Sequence, residues 1–220
     1  MEKKIYIFWT GDNKFTEIRK ASFEQFKKTC QVNVVLITKD NLNEYLLKDI
    51  PLHPAYKYLH YTHKADYLRT YFMNFYGGGY SDIKPTAGSW DKCFDELNNN
   101  KDKWAIGFKE RGEYDIAYPP AKKYWHELIG NSGYIFKPHT PLTQEWYNEM
   151  IQIMDKKLPL LIKCGQSNSR AGFDVKNYPI VWNEMLGQIF HKHCLKYKDK
   201  LINTLPLYDL KNYKDVSESS

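Results

Sequence analysis

Cysteine is scarce in this sequence, and its spacing suits neither a metal site nor a disulfide framework. Four cysteines occur among 220 residues, and no two of them form a C-x-x-C pair. This spacing argues against a zinc site and indicates no set of disulfide bridges. We therefore expect free, mostly buried thiols in a reducing compartment. The four residues are Cys30, Cys93, Cys164 and Cys194.

Long apolar runs and basic clusters are also absent. No stretch of about 18 apolar residues occurs, and the start of the chain passes from charged residues into a strand-like pattern without the apolar core of a signal peptide. We expect a soluble, cytoplasmic protein with no membrane span. The net charge is +6, but no run of five basic residues occurs. This argues against a nucleic-acid-binding arm and is compatible with a phosphorylated small molecule as partner.

Internal repeats, low-complexity tracts and linkers are missing as well. With 42% hydrophobic residues, the chain is long and apolar enough to form one domain with a core. We expect this domain to span residues 1–210 and a flexible tail to span 211–220, because the chain ends in the polar sequence K-D-V-S-E-S-S. The sequence leaves open whether the chain is one module of a larger multidomain polypeptide.

The first part of the chain has the pattern of a strand–helix–strand unit. Lys4–Trp9 and Val32–Thr38 are the β-branched and aromatic runs of buried strands, and Thr16–Thr29 has helical spacing. Such a unit predicts parallel strands joined by a right-handed crossover. We therefore predict a single α/β domain with a mostly parallel central β-sheet flanked by helices.

Ligands in open α/β sheets bind beyond the carboxyl ends of the strands. The first strand ends at Trp9, Thr10 and Gly11, where glycine allows close backbone approach. Tryptophan there can stack on a base, although core packing explains it equally well. The second strand ends at Thr38. These four residues are candidates for binding a nucleotide.

The same criteria predict the strands, helices and loops of the rest of the chain. Further strands are predicted at Tyr80–Ile83, Trp104–Phe108 and Gly133–Phe136. Further helices are predicted at Asn41–Leu47, Trp90–Asn99, Pro141–Lys156 and Val181–Cys194. Two irregular loops are predicted at Lys109–Pro120 and Cys164–Tyr178.

The stretch from Tyr61 to Trp90 combines a helix, a glycine hinge and an acidic residue. Ala65, Leu68, Phe72 and Phe75 fall on one helical face. The glycines at 77–79, Gly78 among them, end the helix because they tolerate left-handed backbone. Asp82 lies in the strand that follows.

Asp66 and Arg69 are three residues apart on this helix and point the same way. A carboxylate and a guanidinium in this arrangement can bind a ribose hydroxyl and a phosphate, although a surface salt bridge has the same spacing. The glycines and Asp82 directly after them favour the ligand-binding interpretation.

Two motifs in this stretch resemble a known family. H-K-A-D-Y-L-R followed by Y-G-G-G-Y-S-D-I-K is similar to the core of GT-A glycosyltransferases with a D-x-D motif. In particular it resembles the sugar-binding region of the capsular polysaccharide synthesis, α-mannosyltransferase and large clostridial toxin glucosyltransferase groups. The opening I-F-W-T-G and the later W-N-E-M-L-G-Q-I-F-H also resemble this family. The sequence also resembles chlorella-virus glycosyltransferases that build capsid glycans. If this protein is viral, we expect it in the host cytoplasm.

The resemblance implies a GT-A (Rossmann-like) fold and a UDP-sugar as donor. It implies that Trp9 contacts the base, that Asp66 and Arg69 contact the sugar nucleotide, and that Asp82 is the first aspartate of the motif. Lys84 stands where the family has the second aspartate. We expect a weakly held Mn²⁺ or Mg²⁺ that arrives with the nucleotide and binds Asp82. The alternative is that Lys84 itself neutralises the phosphates and makes the metal optional.

The implied chemistry is displacement at the anomeric carbon with a nucleoside diphosphate as leaving group, and an inverting enzyme also needs a carboxylate base. Candidates for that base are Glu184, Asp174, Asp115 and Glu110, each of which also reads as an ordinary surface acid. His191 lies on the same helical face as Glu184 and is either a metal ligand or a residue at a helix end.

These observations predict a glycosyltransferase that moves a hexose or deoxyhexose from a UDP-sugar to a glycan acceptor. One alternative is a catalytically inactive module that binds nucleotide sugars or carbohydrate, because Lys84 departs from the motif. A more distant alternative is a basic RNA-binding domain, but no aromatic sheet signature or basic stripe supports it.

Overall fold

A six-stranded β-sheet forms the centre of the structure, a computed structural model that describes residues 1–165, 177–211 and 213. The strands are β1 (Lys4–Trp9), β2 (Asn33–Thr38), β3 (Gly78–Ser81), β4 (Ala105–Lys109), β5 (Ile129–Phe136) and β6 (Leu201–Ile202). They lie in the order β2-β1-β3-β5-β4-β6. Three of the five pairings are parallel, and β5 is antiparallel to both its neighbours. The predicted mostly parallel α/β fold is confirmed, with one strand reversed.

Helices cover both faces of this sheet. Alternate residues of β1 divide between two apolar cores, because successive side chains of a strand point to opposite faces. Ile5 and Ile7 pack with α1 and α3, whereas Tyr6 and Phe8 pack with the core of α2, α4 and α5. The helices are α1 (Glu17–Cys30), α2 (Tyr61–Phe75), α3 (Asp91–Asn99), α4 (Pro141–Cys164) and α5 (Ile189–Lys196).

Helix α2 is buried on more than the one face that its apolar spacing predicts. Leu68 and Phe72 are fully buried as expected, but Asp66 and Arg69 are buried too. The cause is tertiary, since α2 packs against the sheet through β1 and β3 and also against α4. Asp66 and Arg69 therefore belong to the protein interior and not to a solvated helix face.

The glycines after α2 place β3 two residues earlier than the sequence predicts. Gly77 and Gly78 have φ angles of +65° and +87°, which only glycine adopts easily. The strand begins at Gly78 and ends at Ser81. Asp82 therefore follows the strand and does not lie within it. Glycine fits here because β1 lies close on one side, with the backbone oxygen of Lys4 2.7 Å from the position of a Cβ on Gly78.

Several other boundaries differ from the predicted ones. Helix α4 continues through Pro159 to Cys164, and buried Leu161 holds its last turns to the core. The predicted helix at 181–194 is instead a π-helical turn, Glu184–Gln188, followed by α5. Strand β6 is too short, at two residues, to give a periodic signal.

Two expectations from the composition concern thiols and membranes. Cys30, Cys93 and Cys194 are buried free thiols, as expected. Across the part of the chain that the structure describes, no helix is both long and apolar enough to cross a membrane. The predicted loop at 164–178 and the tail at 211–220 lie mostly outside the described residues.

Candidate functional site

A cavity of about 460 Å³ opens at the carboxyl ends of β1 and β3. Its walls are the first half of α2, residues 131 and 132 of β5, and the segment 182–187. The volume lies within the roughly 300–1,000 Å³ typical of ligand pockets. Seven residues that the sequence singles out line it together: Trp9, Thr10, Gly11, Asp66, Arg69, Asp82 and Lys84.

Asp82 lies at the centre of the polar end of this cavity. Its Oδ1 accepts hydrogen bonds from the hydroxyl of Tyr80 at 2.7 Å and from the guanidinium of Arg69 at 3.3 Å. Its Oδ2 accepts one from Nζ of Lys84 at 3.1 Å. The backbone N–H of Asp82 donates to the carbonyl of Ser132 at 2.8 Å, which ties the residue to β5. Both carboxylate oxygens are thus engaged by cationic side chains.

These contacts keep the carboxylate of Asp82 charged. Burial alone would raise the pKa of Asp82, but the charges of Lys84 and Arg69 outweigh it and hold this pKa below its ordinary value. In return, the attraction of Asp82 raises the pKa of Lys84 against the opposing effect of burial. At neutral pH the site therefore contains an ionised carboxylate between two cations.

Asp66 is the second carboxylate of the cavity, and its surroundings differ from those of Asp82. It is 1% exposed, and its Oδ1 lies 3.7 Å from the guanidinium of Arg69. No hydrogen-bond donor among the described residues reaches this oxygen. Burial raises the pKa of Asp66 to about 7, although Arg69 opposes that effect. A buried polar atom without a hydrogen-bond partner is rare in proteins, so Oδ1 of Asp66 is an unusual feature of this cavity wall.

Arg69 connects the two carboxylates. Its guanidinium lies 4.2 Å from the centre of the Tyr80 ring and donates to the carbonyl of Asn131 at 3.2 Å. Burial opposes the charge of Arg69, but the neighbouring carboxylates raise its pKa, so it stays protonated. The helical spacing that sets Asp66 and Arg69 on one side of α2 thus delivers both to the cavity.

The other end of the cavity is aromatic. The indole N–H of Trp9 donates to the carbonyl of Asn13 at 3.0 Å, and the guanidinium of Arg19 lies 5.1 Å from its ring centre. A Cβ on Gly11 would lie 2.6 Å from Cγ of Tyr61, so only glycine fits beside that ring. The sequence interpretation missed Arg19 and Tyr61. Their position in the first turns of the helices that face these strand ends was the available signal.

Several predicted site residues that the structure describes do not line the cavity. Thr38 lies at the end of β2, and Gly78 lies at the far end of β3 from Asp82. His191 is fully buried, where its Nδ1 accepts from the backbone N–H of Ala117 at 3.2 Å and its Nε2 lies 3.3 Å from Oε1 of Glu110. Glu184 does not line the cavity either.

The described base candidates each have a side-chain partner. Glu184 forms an ion pair with Lys157 at 3.0 Å, Asp115 forms one with Arg111 at 2.9 Å, and Oε1 of Glu110 lies 3.3 Å from Nε2 of His191. None of the three lines the cavity, whose described carboxylates are Asp66 and Asp82. Asp174 lies outside the described residues. Asn183, from the W-N-E-M motif, does line the cavity and was given no role from the sequence.

The two metal ligands predicted from the sequence, Asp82 and His191, do not lie together in the part of the chain that the structure describes. Within the described part of the chain, no group of three or more His, Cys, Asp or Glu residues is placed to hold a metal ion. His191 is not brought to the cavity that Asp82 lines. Mg²⁺ and Mn²⁺ prefer carboxylate oxygens, and both oxygens of Asp82 are already paired with cations.

Comparison with known proteins gives two matches. Residues 1–86 match the model of a family described as capsular polysaccharide synthesis protein, which is less than half of the chain. The structure is similar to one described as PaToxG Glycosyltransferase, with a TM-score of 0.52 and 13% sequence identity over 89% of this chain and 68% of that one. No curated protein matches the sequence. At this identity the structural likeness shows the fold alone, which is that of the matched glycosyltransferase.

Proposed function

We propose that this chain transfers a hexose or deoxyhexose from a UDP-sugar to a glycan acceptor. The observation that carries the proposal is one continuous cavity with an aromatic end at Trp9 and a charged end at Arg69, Asp82 and Lys84. A nucleotide sugar has the same sequence of chemical groups, namely a planar base, a diphosphate and a sugar. Uracil as the base follows from the resemblance to the GT-A family and not from the cavity.

The donor fits the cavity in one direction. Its base lies against Trp9 and the close backbone approach at Gly11. Its diphosphate faces the cations of Arg69 and Lys84, which supply charge-assisted hydrogen bonds. Its sugar then reaches Asp66, which lines the cavity beside Arg69 and offers its carboxyl group to a sugar hydroxyl. Asn131 and Ser132 of β5 line the same region and offer further polar contacts.

The transfer breaks the bond between the anomeric carbon and the β-phosphate oxygen and forms a bond from the acceptor oxygen to that carbon. The hydroxyl proton of the acceptor is released to water, and the nucleoside diphosphate leaves with additional negative charge. Arg69 is buried and permanently charged, so it stabilises this developing charge in a site of low dielectric. Donors that are already in place need no reorganisation during the reaction, which is the main source of their effect.

Thermal denaturation with added nucleotides tests the proposal. UDP at one hundred times its dissociation constant should stabilise the protein by about 2.7 kcal/mol relative to the protein without ligand, and GDP or CMP at the same concentration should stabilise it less. The Asp82→Ala variant should lose donor binding or turnover while keeping the fold, since its carboxylate orders both Arg69 and Lys84. Absence of stabilisation by any nucleoside diphosphate would contradict the proposal.

An inactive module that binds nucleotide sugars is the second candidate, because Lys84 replaces an acidic residue of the family motif. Both candidates predict UDP-selective stabilisation, so binding alone does not separate them. Release of UDP from UDP-sugars, followed over hours with and without glycan acceptors, does. Binding without any release of UDP would favour the inactive module.

A further inference from the structure

We propose that the ammonium group of Lys84 is the built-in counter-charge for the donor diphosphate, so that donor binding and transfer proceed without a divalent metal. The inference rests on the proposed function, because it specifies how the same cavity neutralises its ligand. It concerns the position at which a D-x-D enzyme would present its second carboxylate.

The geometry around Asp82 leaves a metal little to bind. A metal ion on Oδ2 would have to share that oxygen with Nζ of Lys84 at 3.1 Å, and one on Oδ1 would have to displace Arg69 or the hydroxyl of Tyr80. In either position the ion would also lie beside at least one of these cations. Repulsion between like charges is strong in a partly buried site, so an added dication is disfavoured before any phosphate binds.

The charge balance of the cavity already suits a diphosphate. Arg69 and Lys84 contribute two positive charges, and Asp82 contributes one negative charge. Asp66 is only partly ionised near neutral pH, since its pKa is about 7. The polar end of the cavity therefore attracts an anion without an added cation.

Lys84 is also held in place and not merely nearby. Its Nζ lies 5.4 Å from the ring centre of Tyr208, and its backbone N–H donates to the carbonyl of Asp82 at 2.8 Å. The next residue, Pro85, accepts a hydrogen bond from the backbone N–H of Asp209 at 2.8 Å. The side chain is 29% exposed and lines the cavity. An ammonium group has three N–H donors, so Lys84 can keep Asp82 and still donate to phosphate oxygens.

The first test needs no variant. Isothermal titration of the full chain with UDP, in EDTA and then in Mn²⁺, should give dissociation constants that agree within about twofold, because the protein supplies the counter-charge itself. UDP that binds only when Mn²⁺ is present would overturn the inference and leave the proposed function standing. No binding of UDP, GDP or CDP in either buffer would overturn the proposed function and this inference with it.

Two substitutions of the same residue sharpen the test. Lys84→Met should weaken UDP binding about tenfold to a hundredfold, the range expected for loss of a charge-assisted hydrogen bond, and leave the binding of uridine unchanged. Lys84→Asp restores D-x-D and should bind UDP only with Mn²⁺. Lys92→Met, at an exposed position of α3, is the control and should bind like the unchanged protein. Unfolding temperatures without ligand verify that each variant folds. Equal UDP affinity in Lys84→Met and the control would overturn the inference.

Discussion

The hydroxyl of Tyr178 lies 2.8 Å from Nδ1 of His63 and joins α2 to the segment that closes one side of the cavity. The other ring nitrogen of His63 lies 3.3 Å from the carbonyl of Trp182. A carbonyl only accepts hydrogen bonds, so Nε2 carries the proton and Nδ1 accepts from Tyr178. The neutral imidazole thus holds two points of the segment that contributes Trp182 and Asn183 to the cavity.

Removing the Tyr178 hydroxyl should loosen this segment. In Tyr178→Phe the buried Nδ1 of His63 loses its donor, so we expect a loss of about 1–3 kcal/mol in the free energy of unfolding and weaker UDP binding. Urea denaturation and isothermal titration measure the two effects. The control is Tyr114→Phe, since Tyr114 is 71% exposed. Matching values for the two variants would show that the hydroxyl of Tyr178 is not a structural link.

Acid should destabilise the protein through the same histidine. Burial lowers the pKa of His63 from 6.5 to about 4. Between these pH values the unfolded chain binds a proton that the folded protein does not, so stability is lost as the pH falls. His63 alone should account for about 2 kcal/mol between pH 7 and pH 5. Urea denaturation at the two pH values should show a smaller loss in His63→Phe, and an unchanged loss would exclude His63 as its source.

Asp66 should have the opposite pH dependence. Its pKa rises from 3.8 in the unfolded chain to about 7 in the folded protein. The folded protein therefore holds a proton that the unfolded chain has released, and stability is lost as the pH rises towards 7 and beyond. Asp66→Asn cannot ionise, so its stability relative to the unchanged protein should improve by about 2–3 kcal/mol from pH 5 to pH 8. Exposed Asp49→Asn is the control, and a pH-independent difference for Asp66→Asn would contradict the burial argument.

The glycine hinge between α2 and β3 gives a comparison of two alanine substitutions. Gly77 and Gly165 both have positive φ angles, +65° and +83°. A Cβ on Gly77 would lie 2.5 Å from Cδ of Pro138, whereas no described atom lies within 4 Å of one on Gly165. Both variants should lose about 1–3 kcal/mol from backbone strain, since Gly165 with a ψ of 179° lies in a region that essentially only glycine adopts, and Gly77→Ala should lose about 1–3 kcal/mol more from overpacking. Equal losses in chemical denaturation would show that the hinge relaxes around the new methyl group.

Local patterns in the sequence predict much of this fold and part of the site. The β1-α1-β2 unit follows from apolar runs and helical spacing, and the joint position of Asp66 and Arg69 follows from a separation of three residues. The family resemblance adds Asp82 and Lys84. These features depend on residues close together in the chain, where spacing determines direction.

Long-range contacts explain what the sequence did not predict. Strand β5 runs antiparallel to β3 and β4, which are distant from it in the chain. No local pattern in the sequence encodes that direction. The link between His63 and Tyr178 joins residues 115 positions apart. Burial of most of α2 depends in part on α4, which follows much later in the chain. Such contacts become visible only once the elements are assembled.

Among the predicted catalytic residues, Glu184 allows a structural role to be distinguished from that of a general base. One of its carboxylate oxygens pairs with Lys157 at 3.0 Å, and the other accepts from the backbone N–H of Val181 at 3.0 Å. We therefore expect Glu184→Gln to disturb the 181–187 segment and raise KM while kcat stays within about tenfold, because a general base contributes roughly 10²–10⁴. Asp82→Asn should instead lower kcat, since it disturbs the cations at the leaving group. UDP release from a UDP-sugar measures both variants. A fall in kcat of a hundredfold or more in Glu184→Gln would mean that the segment moves on binding and delivers this carboxylate to the acceptor.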